Sequence, residues 1–136
     1  MTDRGLVEKR LALIETCVAE LRRDANADVM AHDLRERRFV EHTLQIAIQA
    51  ALDIASHIAS DERLGEARTN AELFALLERH GWIGAALSDT LRRMAGFRNV
   101  LVHGYDDVDL GVVRDVLTNH LGDLLGYVDA VRRRLV

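Results

Sequence analysis

Hydrophobic side chains recur every three or four positions in five stretches of this chain, the repeat expected of α-helices that are buried on one face. The repeat predicts helices over roughly residues 3–23, 33–60, 70–80, 84–103 and 109–135. Short polar segments join them, which favours an all-α fold: an antiparallel, up-and-down bundle of four to five helices. No repeat or linker divides the chain, so residues 1–136 are expected to form one domain.

Local signals mark several of the predicted helix ends. Thr69 followed by Glu72 is the pattern of a capping box at the start of the third helix. Gly81 is expected to end that helix in the left-handed conformation, and Gly104 can end the fourth. In the second helix, apolar residues such as Ile48 lie off the main stripe, which is typical of a central helix or of one that also meets a partner.

The composition narrows the class of protein. The chain has no proline, one cysteine and a formal net charge of −4, which argues against a protein that coats nucleic acids nonspecifically. Cys17 falls on an apolar helix stripe, so it is expected to be a buried, inert thiol in a reducing compartment. No apolar run is long enough to span a membrane and the charged N-terminus is no secretory signal, so the expected location is cytoplasmic.

The most informative polar residues are Arg98, Asn99, His103 and Tyr105, which follow the pattern R-x4-H-x-Y. A cation for a phosphate, a proton carrier near neutral pH and polar positioning groups are what cutting RNA without a metal requires. Arg98 falls on a core-facing stripe, where it is either an arginine that extends to water at the rim or a cation held in a groove for an anion. Taken singly, His103 could equally be a capping or core residue.

The segment Gly96–Tyr105 resembles the signature of HepT-like toxins, a branch of the HEPN ribonuclease superfamily. Residues 47–58 and 74–83 are similar to that family's second and third helices. The resemblance implies a helical bundle that forms a homodimer, in which two copies of the motif meet in one cleft. It also implies a metal-independent endoribonuclease that needs no cofactor and acts as the toxin of a type VII toxin–antitoxin system.

The resemblance further implies a partner, a MntA-type minimal nucleotidyltransferase antitoxin that neutralises the toxin by transferring AMP from ATP to Tyr105. For the RNA substrate, His103 would take the proton of the 2′-OH or protonate the 5′-oxygen, and Arg98 would stabilise the charged transition state. Asn99 would orient His103 or the phosphate, and the product would carry a 2′,3′-cyclic phosphate.

Two acid–histidine pairs at helical spacing are weaker candidates. Asp53 and His57 are four residues apart, as are Asp28 and His32, and such pairs could hold a metal ion. A ferritin-like site would need two Glu-x-x-His motifs, which the chain lacks, so hydrogen bonding on the helix surface is favoured and no metal is expected. Asp53 and His57 on the central helix are candidate residues at the border of the cleft.

Other interpretations remain open at this stage. The chain could be a catalytically weak binding module of the same fold that serves as partner and substrate of a nucleotidyltransferase. It could also be a structural bundle in which the motif only packs. The cationic end, residues 132–134, fits either complementation of the helix dipole or phosphate binding.

Overall fold

A computed structural model describes residues 2–104 and 108–135, and within these ranges the chain is helical without a strand. A short 3₁₀ turn, Ala27–Val29, precedes the second helix, and a π-helical turn, Val116–His120, joins the last two. The predicted all-α bundle is confirmed. The helices are α1 (Arg4–Asp24), α2 (Leu34–Asp61), α3 (Asn70–Arg79), α4 (Ala85–His103), α5 (Leu110–Asp115) and α6 (Leu121–Leu135).

The predicted signals at the ends of α3 are present. The backbone N–H of Glu72 donates to Oγ1 of Thr69 at 3.3 Å, and the Glu72 carboxylate accepts from the backbone N–H of Arg68 at 2.7 Å. Gly81 follows the helix with φ +79°, the left-handed conformation that glycine adopts most readily. The sequence therefore determines both the start and the stop of this short helix.

The second apolar side of α2 is explained by its place in the bundle. This helix contacts α1, α3, α4 and α6, and Ile48 and Leu52 are buried. On one side the Tyr127 hydroxyl of α6 donates to the Ala51 carbonyl at 2.9 Å, and the Tyr127 ring meets Phe74 of α3 edge-on. Burial raises the pKa of Tyr127, so the phenol stays neutral. Of the two interpretations left open for α2, the central position is the one observed.

The last helical stretch differs from the uninterrupted α-helix predicted over residues 109–135. At its π turn the backbone N–H of Val116 reaches the carbonyls of both Val112 and Val113. The hydrophobic stripe continues through the turn, with Val116 and Leu121 buried on either side, which is why periodicity gives no sign of it. π-Helical turns often occur at functional sites.

The C-terminal arginines are engaged within the molecule. Arg132 forms a two-pronged ion pair with Glu15 of α1 at 2.7 and 2.9 Å, which holds the pKa of that carboxyl below its usual value. Arg133 pairs with an acid one turn earlier, and Arg134 lies 5.2 Å from the centre of the Trp82 ring. These contacts favour a structural role for the segment over phosphate binding.

Two smaller expectations are also tested. Cys17 is 4% exposed, and burial raises its pKa, as expected of an inert thiol. None of the helices in the described ranges is long and apolar enough to cross a membrane.

Candidate active site

The motif residues lie in the last two turns of α4, on the part of the helix that leaves the core. Asn99 and His103 are exposed and share one face, whereas Arg98 is partly buried. Met94, one turn before Arg98 on the same stripe, is buried at 3% exposure. The arginine therefore stands where the core-facing stripe reaches the surface. Tyr105 lies outside the described residues.

The guanidinium of Arg98 has hydrogen-bonding capacity that its surroundings do not satisfy. Its Nη1 donates to the Asn99 side-chain oxygen at 3.3 Å, a long contact, and its Nε is buried with no hydrogen-bond partner among the described residues. Arg132, by contrast, directs its guanidinium at two carboxylates of α1. A buried donor without a partner costs about 1–3 kcal/mol, and a bound anion would remove that cost. This geometry favours the second interpretation of Arg98, a cation available to an anion.

The position of His103 depends on a close backbone contact at the end of α4. The N–H of Gly104 donates to the Val100 carbonyl at 2.6 Å. A Cβ atom at Gly104 would lie 2.6 Å from that same carbonyl oxygen, closer than real Cβ atoms come. With φ −80° the glycine is not left-handed, so the close approach and not the torsion angle requires it. Gly104 ends the helix as predicted, for a different reason.

The surface next to the motif is open. Val100, which lies between Asn99 and His103 in the sequence, is 45% exposed. At Gly96, one turn earlier, an added Cβ would meet no atom within 4 Å. A ligand or a second protein surface can therefore approach the backbone of α4 closely at this end.

Asp53 lines a different groove from the motif residues that the structure describes. Asp53 accepts a hydrogen bond from the Gln49 amide at 2.9 Å and is 3.8 Å from Arg10 of α1. These residues line a groove between α1 and α2 that the described motif residues do not line. The roles of Asp53 and His57 at the border of a dimeric cleft remain predictions. Among the described residues, no group of three or more His, Cys, Asp or Glu side chains is arranged to hold a metal ion.

A second polar group near α4 was not identified from the sequence. His120 in the π turn lies 2.9 Å from Asp123 and 3.2 Å from Asp115. Together with Arg93 of α4, His120 and Asp115 line a groove between α4 and the last helical stretch. The spacing D-x4-H-x2-D could have pointed to this group, but on a regular α-helix Asp115 and His120 would not share a face.

Comparison with known proteins identifies the family. A model of the family described as ribonuclease HepT-like matches residues 9–131. The chain belongs to the HepT-like ribonuclease family. Membership confirms the predicted resemblance and the predicted endoribonuclease class, and the toxin of the HepT/MntA type that was expected is confirmed with it.

Named relatives cover almost the whole chain. The chain is 29% identical over 128 residues to the mRNA nuclease HepT of Shewanella oneidensis, covering 93% of this chain and 96% of the relative. It is 34% identical over 133 residues to the tRNA nuclease HepT of Aphanizomenon flos-aquae, covering 96% of this chain and 90% of the relative. A solved structure of the tri-AMPylated HEPN toxin of S. oneidensis in complex with an MNT antitoxin matches with TM-score 0.88 and 29% identity, covering 98% and 99% of the two chains.

The close contact at the end of α4 can be tested by substitution of Gly104. Replacing Gly104 with alanine is expected to move the helix end, because the new Cβ would collide with the Val100 carbonyl. Since His103 is the preceding residue, we expect RNA cleavage to fall at least about tenfold, with an unfolding free energy lower by about 1 kcal/mol. Cleavage of a labelled RNA and urea unfolding measure the two effects.

The matched control is Gly126→Ala in α6, where an added Cβ meets no atom within 4 Å. Alanine there should stabilise the fold by up to about 1 kcal/mol and leave cleavage unchanged. Full activity of Gly104→Ala would show that the helix end does not position His103.

Proposed function

We propose that Arg98 and His103 are the catalytic residues of this toxin and that they cleave RNA by attack of its own 2′-OH, without a metal. The observation that carries the assignment is the Arg98 guanidinium, whose buried Nε has no partner among the described residues. It lies next to Asn99 and on the same helix end as the exposed His103. That combination supplies a site for a phosphate and a proton carrier within one turn and a half of helix.

The reaction follows from these groups. The 2′-oxygen attacks the adjacent phosphorus and loses its proton, and the bond from phosphorus to the 5′-oxygen breaks. His103 takes the first proton or donates one to the departing 5′-oxygen, while the His103 of a second protomer does the other task. Arg98 stabilises the extra negative charge on the phosphorus oxygens, and Asn99 orients His103 or the phosphate. The products are a 2′,3′-cyclic phosphate and a 5′-hydroxyl.

Removing either side chain tests the assignment of the two catalytic residues. Expression of the wild type alone should arrest growth and degrade RNA, whereas His103→Ala and Arg98→Ala should each be harmless, with cleavage reduced about a hundredfold or more. Growth curves and RNA integrity measure the effect in cells, and cleavage of a labelled RNA with the purified proteins measures it in vitro.

The controls remove the same residue types elsewhere. His42 and Arg38 are exposed on α2, and His42→Ala and Arg38→Ala should behave like the wild type. Circular dichroism should show all four variants folded. A folded His103→Ala that cleaves at the wild-type rate would refute the assignment. If His103→Ala is inactive because it unfolds at the assay temperature, the histidine has a packing role instead.

The active form is proposed to be a homodimer in which two copies of the motif face each other. Val100 supports this arrangement, because its exposed side chain lies among the motif residues on the open surface of α4. Two α4 ends meeting there would cover Val100 and bring two histidines to one cleft. The RNA would then contact both protomers.

A charge on that surface should separate the protomers. Val100→Asp is expected to convert a dimer into a monomer and to abolish cleavage, since a buried, unpaired carboxylate is costly. Leu34→Asp places the same charge at another exposed apolar residue, 56% exposed, and should change neither property. Light scattering after size exclusion measures the mass. An active monomer of Val100→Asp would contradict a shared cleft.

The antitoxin partner is proposed to be a MntA-type nucleotidyltransferase that modifies Tyr105. The AMPylated HEPN toxin bound to its MNT antitoxin, which matches this chain over nearly its whole length, supports the proposal. The Tyr105 oxygen would attack the α-phosphate of ATP, forming the phosphodiester to AMP and releasing pyrophosphate. AMP would add bulk and negative charge one residue from Gly104, where the RNA phosphate must bind.

A cytoplasmic location, where RNA and ATP are present, fits the buried, reduced Cys17.

The modification has a direct measurement. With ATP and a cognate nucleotidyltransferase, intact-mass spectrometry should show added AMP on the wild type and none at this position in Tyr105→Phe, with loss of cleavage in the modified wild type only. Modification of a wild-type protein that never cleaves RNA would favour the binding-module alternative. Equal modification of Tyr105→Phe would place the acceptor elsewhere.

A further inference from the structure

A groove of about 200 Å³ runs between α4 and the last helical stretch, next to the motif. Its walls are apolar: Met94 and Phe97 from α4, and Val112 and Val116 from the other side. Val112 is 43% exposed, so this wall is open to solvent. The volume is below the roughly 300–1,000 Å³ of sites for drug-sized ligands and suits one planar ring system.

The rim of the groove is polar and contains both donors and an acceptor. Thr90 and Arg93 contribute a hydroxyl and a guanidinium from α4, and Asp115 and His120 contribute a carboxylate and an imidazole from the opposite side. The Arg93 side chain is 82% exposed, and its ion pair with Asp89 is a surface contact that a ligand can displace. Apolar walls below a mixed polar rim are the chemistry of a nucleobase site.

The π turn holds the acceptor in its charged form. Asn119 donates to one Asp115 oxygen at 2.7 Å and His120 lies 3.2 Å from the other, and the Asn119 hydrogen bond, with the charge of His120, lowers the pKa of Asp115. Both nitrogens of His120 face carboxylates, of Asp115 and Asp123. The carboxylate at the rim is therefore oriented from its own helix before any ligand binds.

The groove lies beside the unsatisfied guanidinium. Phe97 directly precedes Arg98, and Met94 lies one helical turn before it, so a strand whose phosphate bound Arg98 would have a neighbouring base within reach of this groove. Arg93 at the rim of the groove adds a second cation on the same helix. Charge complementarity thus points to an RNA strand as the occupant.

We propose that this groove binds one guanine base of the RNA substrate, next to the phosphate that is cut. Guanine presents adjacent N–H donors on one edge and the acceptors O6 and N7 on another. Asp115 accepts from the donor edge, while Thr90 and Arg93 face the acceptors. Uracil would direct two carbonyl oxygens toward the carboxylate beside its single N–H donor. The inference rests on the proposed RNA cleavage at Arg98 and His103 and adds a source of sequence preference.

The experiment separates where the RNA is cut from whether it is cut. The wild-type dimer is given a short RNA library, and cleavage positions are mapped from the cyclic-phosphate ends. Cuts should lie beside guanosine, and replacing that guanosine with inosine, which lacks the 2-amino group, should slow cleavage there about tenfold. Equal rates for guanosine and inosine, or cuts without a base preference, would overturn the proposal while leaving the catalytic assignment intact.

Two variants test the groove itself, each with a control. Val112→Phe fills it from an exposed position, and Asp115→Asn replaces the acceptor, so both should weaken the guanosine preference about tenfold while retaining cleavage of other sequences. Val29→Phe, at an exposed valine outside the groove, and Asp129→Asn, at a surface ion pair of α6, should keep the wild-type pattern.

Light scattering on the same variants identifies a competing occupant. If Val112→Phe is monomeric while the wild type is a dimer, the groove is covered by the second protomer and the base-binding proposal is wrong. If His103→Ala abolishes all cleavage and Val112→Phe only redistributes it, the two claims are separately supported. If neither the wild type nor the variants cleave RNA, the proposed function is refuted together with the proposed base site.

Discussion

Packing of α2 against four other helices is the constraint on which the rest of this structure depends. A helix that contacts α1, α3, α4 and α6 must present apolar side chains beyond a single stripe, and the buried Ile48 and Leu52 do so. The hydroxyl of Tyr127 fixes α6 against this helix through the Ala51 carbonyl. α4 packs against α2, α3 and α6, but its last turns leave the core, so Asn99 and His103 there are exposed and available for chemistry.

Arginine has two different roles in this bundle, and the difference lies in its partners. Arg132 directs its whole guanidinium at carboxylates of α1, so its charge is matched within the fold and it ties the first and last helices together. Arg98 donates to the neutral amide of Asn99, and its buried Nε has no partner in the part of the chain that the structure describes. A folded protein that leaves such a donor unsatisfied gives up stability that a bound phosphate would restore, which is the behaviour expected of a binding residue.

The bundle was predictable because its determinants are local. Helical periodicity, the Thr69–Glu72 cap and the Gly81 stop each depend on residues within one or two turns of each other. The motif was also visible, since Arg98, Asn99 and His103 lie within six consecutive residues. Periodicity does not predict the orientation of the Arg98 side chain, which depends on how α4 leaves the core. Nor does it show why glycine is needed at position 104, which is the close contact with the carbonyl four residues earlier.

The π turn was missed for a related reason. The wider π turn rotates the residues that follow it about the helix axis. The hydrophobic stripe is not interrupted, so the apolar pattern is unchanged while the positions of the polar side chains shift. Only in the folded chain does the His120 imidazole contact both the Asp115 and the Asp123 carboxylates and line the groove together with Arg93. The groove joins α4 to the helical stretch that follows it, and the way these two elements fold back on each other is not encoded by the local apolar pattern of either.

The net charge bears on how such a protein selects RNA. Nonspecific binding to nucleic acids comes mainly from neutralising many phosphates, and a chain of charge −4 whose C-terminal arginines are already paired or stacked within the fold is poorly suited to that. Phosphate contacts position a strand, whereas contacts to bases specify a sequence. Discrimination would then come from contacts made close to the proposed cleavage site at Arg98 and His103. A base site beside Arg98 meets that requirement, since it would couple recognition directly to the placement of the reacting phosphate.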